Sequence, residues 1–168
     1  MAVRTILIYP HPLLKTVCRS VETMDDDISA LIGDLVDTMA AGPGSVGVAA
    51  PQIGVTLRVC VVDVSASRQG RDNNHGLLTL VNPEILHREG AAIMREGCMS
   101  VPDYTGDVER AVSIVVQFQD EKGIRREIEA NGFEAVAIQH EMDHLDGLLF
   151  LDRIASLKTG LFRRKRYK

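Results

Sequence analysis

The sequence predicts an α+β fold, with mainly antiparallel strands packed around a central helix. Three observations predict it. Segments with strand character outnumber helical ones. Their order is not a regular strand–helix–strand alternation, which argues against a doubly wound parallel sheet. Two of them flank a hairpin turn at Lys122-Gly123. The chain has 168 residues, 45% of them hydrophobic and 25% charged, the proportions of an ordinary globular protein. This length predicts one domain over residues 1–168, large enough to bury roughly 70% of its unfolded surface without disulfide staples.

The elements follow in order. Residues 26–41 read as a helix, because Ile28, Leu31, Ile32, Leu35, Val36 and Met39 recur at spacings of three and four. Asp25, Asp26 and Asp27 favour its positive end, and Gly42-Pro43-Gly44 stops it. Residues 57–64 form a β-branched run, hence a buried strand. Residues 65–76 are polar and contain glycine, hence a loop. Residues 77–81 and 85–87 read as two strand pieces broken at Asn82-Pro83, since proline cannot donate to a ladder. Residues 111–119 and 124–130 make the hairpin, and Asn131-Gly132 a further turn. Residues 133–146 read as the second helix, stopped by Gly147. The remaining residues, 148–168, are apolar and then basic and read as a short helix.

Charge and cysteine usage exclude several classes. The net charge is −4, but six basic residues and no acid lie from Lys158 onward, which leaves 13 basic against 23 acidic residues before it. An acidic body does not suggest a DNA-binding groove. A basic tail from about residue 158 suits a solvated terminus or contact with RNA. No apolar run approaches the ~20 residues of a membrane span, and the opening apolar run is too short for a secretory signal. Cys18, Cys60 and Cys98 are odd in number and widely spaced, which fits a reducing compartment, so the cytoplasm is expected.

The chemistry lies in His140-Glu141-Met142-Asp143-His144 on the second helix. Histidines four apart sit one above the other on a helix, so both imidazoles can reach one ion, and Glu141 can act as general base. Phe133, Val136, Ala137, His140 and His144 share one stripe, which turns the histidines toward the core, where unpartnered imidazoles are costly. A hydrolytic site needs a third protein ligand and one open position. Glu141 is the last glutamate of the chain, and Phe150 stands where one protease pattern needs a further histidine, so the third ligand lies upstream. His11, His75, His87 and the cysteines are the candidates. Cys60, inside an apolar strand, reads as an inert buried thiol, and Cys98, after the flexible Gly97, is the favoured one. A second stretch, residues 42–54, is rich in small residues. Val46, Gly47 and Val48 could offer main-chain groups to an extended peptide, and Gln52 an amide that polarises a carbonyl.

Three ordered motifs resemble those of the peptide deformylases. They are Ser45-Val-Gly-Val-Ala-Ala-Pro-Gln52, Glu96-Gly-Cys-Met-Ser100 and Gln139-His-Glu-Met-Asp-His144, and the opening Ile8-Tyr-Pro-His-Pro-Leu-Leu-Lys15 is similar too. Ser45 and Met99 depart from the family's usual glycine and leucine. The resemblance implies a metal-dependent hydrolase of protein biosynthesis that removes the formyl group from N-formylmethionyl peptides and releases formate. It implies Cys98, His140 and His144 as ligands of a divalent ion, Fe²⁺ physiologically, with Zn²⁺, Ni²⁺ or Co²⁺ possible in preparations. It implies Glu141 as acid and base, and the Gln52 amide and Met99 N–H as oxyanion donors. Val46, Gly47 and Gly97 would hold the peptide, and Met94, Phe133, Val136 and Ala137 would line the methionine pocket. The basic tail would contact the ribosome. The alternatives are a metalloprotease cleaving internal peptide bonds and a binding module closed around a structural zinc.

Overall fold

The computed structural model describes residues 2–164. In chain order the elements are α1 (Asp26–Ala41), β1 (Gly47–Ala49), β2 (Val59–Val62), β3 (Leu78–Glu89), β4 (Ala92–Cys98), β5 (Val101–Arg110), β6 (Ser113–Gln119), β7 (Arg125–Asn131), α2 (Gly132–Leu145) and β8 (Leu161–Arg163). Five strands form one antiparallel sheet in the order β1-β2-β3-β6-β7, and three form a second in the order β4-β5-β8. The α+β class with antiparallel strands is therefore the observed one.

Local chemistry explains the elements that periodicity predicts. Asp25 caps α1, its carboxylate accepting from the Ile28 N–H at 3.0 Å, and Asp26 and Asp27 occupy the first turn. Ile28, Leu31, Ile32, Leu35 and Met39 are buried on one face, with Val36 half-buried at its edge. The β6–β7 turn is organised by Asp120, whose carboxylate accepts from the Lys122 and Ile124 N–H groups at 2.9 and 3.0 Å. Gly123 supplies the left-handed residue, at φ 78°.

Two expectations fail. Residues 77–81 and 85–87 are not separate pieces but one strand, β3, carrying a bulge. Asn82 adopts φ 50°, and the register with β6 shifts between Val81 and Glu84, so Pro83 sits where no ladder donor is required. The Asn82 side chain clamps the backbone of Val21 in both directions at 2.8 Å, so the bulge also anchors the N-terminal segment. Residues 148–168 contain no α-helix among the described residues. Phe150–Arg153 form a 3-10 turn, and β8 pairs with β5. Lys165, Arg166 and Lys168 of the predicted basic tail lie outside the described residues. The second helix, α2, is covered on every side. Every residue from Glu134 to Leu145 is buried, because sheets cover the helix on opposite sides. β1, β2, β6 and β7 pack on one side through Ile138, Met142 and Leu145, and β4 and β5 approach the other through Glu96, Cys98 and Arg110.

The C-terminal end of α2 is closed by the N-terminal segment. The Leu145 carbonyl accepts from the Cys18 N–H at 2.9 Å and from Arg58 Nη1 at 3.0 Å. Gly147, at φ 75°, lies so close to this segment that a Cβ would come within 2.8 Å of the Lys15 carbonyl oxygen. No helix among the described residues is long and apolar enough to cross a membrane.

The bulge generates a prediction. Asn82→Ala removes both bonds to Val21 and places a non-glycine residue without a helpful side chain at positive φ, costing about 1–3 kcal/mol. Asn82→Gly relieves the backbone part alone and should lose less. Urea denaturation of the two variants measures both. Equal stability of Asn82→Ala and the parent protein would show that the clamp contributes nothing.

Candidate active site

Helix geometry sets His140 and His144 one turn apart, their ring centroids 5.1 Å from each other. β4 brings Cys98 to them. At its end the register with β5 slips between Gly97 and Cys98, and Cys98 pairs with Val101 across the Met99-Ser100 turn. One donor atom from each of Cys98, His140 and His144 falls within 4.8 Å of the others, and Cys98 Sγ lies 3.4 Å from His144 Nε2. All three residues are buried. The other upstream candidates are elsewhere. His11 Nδ1 accepts from the Leu13 N–H, His75 Nδ1 pairs with Glu134 at 2.5 Å, and His87 is exposed on β3. Cys18 and Cys60 belong to the hydrophobic core.

The histidines are held by a buried charge relay. His140 Nδ1 contacts Glu96 Oε1 at 2.7 Å, which leaves Nε2 for the centre. Arg110 grips Glu96 through two bonds, 2.8 and 2.9 Å long, and reaches Asp143 at 2.6 Å. Arg153 closes the far side of Asp143 at 2.8 and 3.1 Å. Burial opposes ionisation of Glu96, yet Arg110 and His140 outweigh it and hold its pKa down to about 2. Burial would likewise lower His140, but Cys98, Glu96 and Glu141 raise it well above its ordinary value. The anionic groups around this ring therefore favour a positive charge at the centre. His144 is driven well below its ordinary value by burial and by the charges of His140 and Arg110, so it is the neutral imidazole that metal ligation requires.

This donor set fits a divalent metal ion. A thiolate and two imidazoles surround one point, both rings are buried, and the environment attracts positive charge. Glu141 lies beside the centre, its Oε2 3.9 Å from His140 Nε2, and burial pushes its pKa up to about 7. Its Oε1 is buried without a hydrogen-bond partner among the described residues. Gly47 is glycine because of this carboxylate, since a Cβ there would come within 2.7 Å of Glu141 Oε2. The Gln52 amide is fixed at both ends. Its oxygen accepts from the Ala49 N–H at 3.0 Å, and its nitrogen donates to Ser100 Oγ at 3.0 Å and lies 3.5 Å from Cys98 Sγ.

A cavity of about 440 Å³ opens over the centre. Its wall includes Val46, Gly47, Gln52, Gly97, Cys98, Met99, Phe133, Val136, Ala137, His140 and Glu141. Met94 is not in that wall. It shares a strand face with Glu96 but lies about 7 Å further along β4, opposite Val108. Arg95, Thr105, Gln69 and Arg164 line the cavity and were missed, as was the support from Arg110, Asp143 and Arg153. No local pattern marks these residues. Only the pairing of β4, β5 and β8 and the packing of α2 bring them in. The two departures from the motifs also have visible contacts. Ser45 Oγ donates to the Gly47 carbonyl at 3.3 Å, and the Met99 sulfur packs over Gly42, where a Cβ would lie 2.6 Å from it.

Two outcomes follow. Arg110→Met takes the shared cation from Glu96 and Asp143, leaving them only His140 and Arg153 as partners, and should cost about 3–5 kcal/mol in chemical denaturation. A loss below about 1 kcal/mol would mean that the relay does not hold the site. The second concerns thiols. Burial raises Cys18 to about 11 and Cys60 well above its ordinary value, so neither forms thiolate near pH 8. Mass spectrometry after mild alkylation of the folded protein should find both unmodified. Labelling at the rate of a free cysteine would contradict their burial.

Comparison with known proteins agrees with this geometry. The family model described as polypeptide deformylase matches residues 3–160. A peptide deformylase of Syntrophobacter fumaroxidans is 42% identical over 98% of this chain and 94% of its own length. One of Alkalilimnicola ehrlichii is 46% identical over 98% and 89%. Among solved structures, a peptide deformylase from Legionella pneumophila superposes with a TM-score of 0.83 at 40% identity, covering 94% of this chain and 89% of that one. That from Ehrlichia chaffeensis in complex with actinonin gives 0.87 at 34% identity, covering 94% and 92%. A match that spans both sheets, both helices and the Cys98–His140–His144 cluster can have one meaning: the chain belongs to the peptide deformylase family.

Proposed function

We infer that this chain is a metallohydrolase that removes the N-formyl group from the formylmethionine of newly made polypeptides and releases formate. One observation carries the reading. A sulfur and two imidazole donors converge within 4.8 Å beside the buried carboxylate of Glu141, and Cys98, His140 and Glu141 line a cavity with an apolar side. Family membership agrees with it.

Cys98, His140 and His144 would hold the ion, and Fe²⁺ is the resident ion the family resemblance implies. Bound there, a divalent ion supplies Lewis acidity toward water and carbonyl oxygen. Glu141 accepts a proton from the attacking water as the new carbon–oxygen bond forms at the formyl carbon. A pKa near 7 suits a group that takes a proton and then returns it. The Gln52 amide and the Met99 N–H stabilise the oxyanion, and the rigid bonding of Gln52 supports that role. The carbon–nitrogen bond then breaks, Glu141 passes its proton to the methionine amine, and formate leaves. Phe133, Val136 and Ala137 give the methionine side chain an apolar wall. Val46 beside β1, Gly47 on β1 and Gly97 on β4 offer the peptide backbone strand partners through their main-chain groups, β1 and β4 each being an end strand of its sheet among the described residues. The reaction takes place in the cytoplasm, where nascent chains emerge. The basic tail is the ribosome contact, supported by its charge alone. Charge reversal at Lys165, Arg166 and Lys168 should weaken sedimentation with ribosomes, and unchanged sedimentation would remove this part.

The central test combines formate release from formyl-Met-Ala-Ser with metal content. Glu141→Gln should retain the ion and lose about 100-fold or more in kcat. Cys98→Ala should lose both ion and activity. Full turnover by Glu141→Gln would sink the general-base role, and full metal occupancy in Cys98→Ala would sink the ligand assignment.

A further inference from the structure

We propose that Arg164 and Arg95 form a carboxylate-recognising subsite at the cavity mouth, which favours formylated peptides with an acidic side chain at the second or third residue. The proposal rests on the deformylase reading and adds a charge preference to it.

The C-terminal strand builds this subsite. β8 runs antiparallel to β5, with Leu161 opposite Gly106, Phe162 opposite Thr105 and Arg163 opposite Tyr104. The Arg164 N–H then donates to the Asp103 carbonyl at 2.8 Å. This register carries the Arg164 side chain over β4, where its Nη2 occupies the space that a Cβ on Gly97 would need. Gly97 therefore makes room for a guanidinium in the cavity wall. Arg95 is fixed from the same strand. Its guanidinium lies 3.5 Å from the centroid of the Phe162 ring, and its Nε bonds Asp107 at 3.0 Å.

The charges lining the cavity are sorted by depth. Its two acids, Glu96 and Glu141, are only 7% and 4% exposed, and Glu96 is bonded to Arg110 and His140. The Arg95 side chain is 51% exposed, and Arg164 is half-buried. Both guanidiniums belong to the cavity wall beside Gly97, so an extended peptide along that stretch of β4 would meet them. A guanidinium fork matches a carboxylate in shape and charge and gains nothing from an amide of the same size. The second and third side chains are the nearest outside the methionine pocket, so an acid there meets the cationic rim.

C-terminally amidated formyl peptides isolate the side-chain charge. Glutamate and glutamine are compared at the second and at the third position, and formate release is followed at low and high salt. Glutamate should be favoured by up to about fivefold in kcat/KM at one of these positions, as expected of a partly exposed ion pair, and the difference should reside in KM. High salt should shrink it. Arg164→Gln should bring the glutamate-to-glutamine ratio close to one, and Arg164→Lys should restore part of it. A free C-terminal carboxylate on the glutamine peptides distinguishes chain-end recognition from side-chain recognition, and a preference seen only there would overturn the proposal. So would equal use of both side chains by the parent protein, or an unchanged ratio in Arg164→Gln. Failure to release formate from any peptide would instead strike the deformylase reading itself.

Discussion

The Arg110 guanidinium, buried between Glu96 and Asp143, is the interaction on which the rest depends. α2 carries six polar side chains into a covered position, and each charge removed from water costs several kcal/mol unless it is paired. The relay from His140 through Glu96, Arg110 and Asp143 to Arg153 meets that cost with alternating signs. It also locks the orientation of the His140 ring, because the Nδ1 contact with Glu96 selects Nε2 for the centre. Stability and site geometry are thus products of one network. That network joins the three-stranded sheet to α2, so the two sheets cannot shift relative to each other without breaking bonds at the centre.

Small residues act as the counterpart of this crowding. Gly47 yields its side-chain volume to the Glu141 carboxylate, and Gly97 yields its own to the Arg164 guanidinium. Both glycines are conformationally ordinary here and matter through space rather than through φ, unlike Gly123. The result is a cleft whose floor is anionic and buried and whose rim is cationic and wet. Such a division strengthens electrostatics at the buried Glu141 carboxylate and leaves the exposed guanidinium of Arg95 screened by solvent.

The three cysteines show how environment separates chemically identical groups. Cys18 and Cys60 lie in the main core and are driven toward the neutral thiol by burial. Cys98 is no more exposed than 8%, yet it sits beside two imidazoles at the end of β4. Burial alone therefore does not distinguish the candidate ligand from the inert thiols. Proximity to nitrogen donors does.

By itself the sequence determined the parts whose causes are local. The α1 face with its Asp25 cap, the Asp120–Gly123 turn, the one-turn spacing of His140 and His144 and the mid-chain Cys98 turn all follow from residues near one another in the chain. The resemblance of the three motifs added the family. Tertiary structure decided what depends on partners distant in sequence. The bulge at Asn82 and Pro83 keeps β3 continuous because Val21 and Arg58 satisfy it from elsewhere. Met94 falls outside the cavity because β4 extends past it. The polar faces of α2 are buried because two sheets close on it, and Arg110, Arg153 and Arg164 reach their places only through that closure. Periodicity reports which face of an element is apolar, but a charge that is paired across sheets looks, along the chain, like any solvated one.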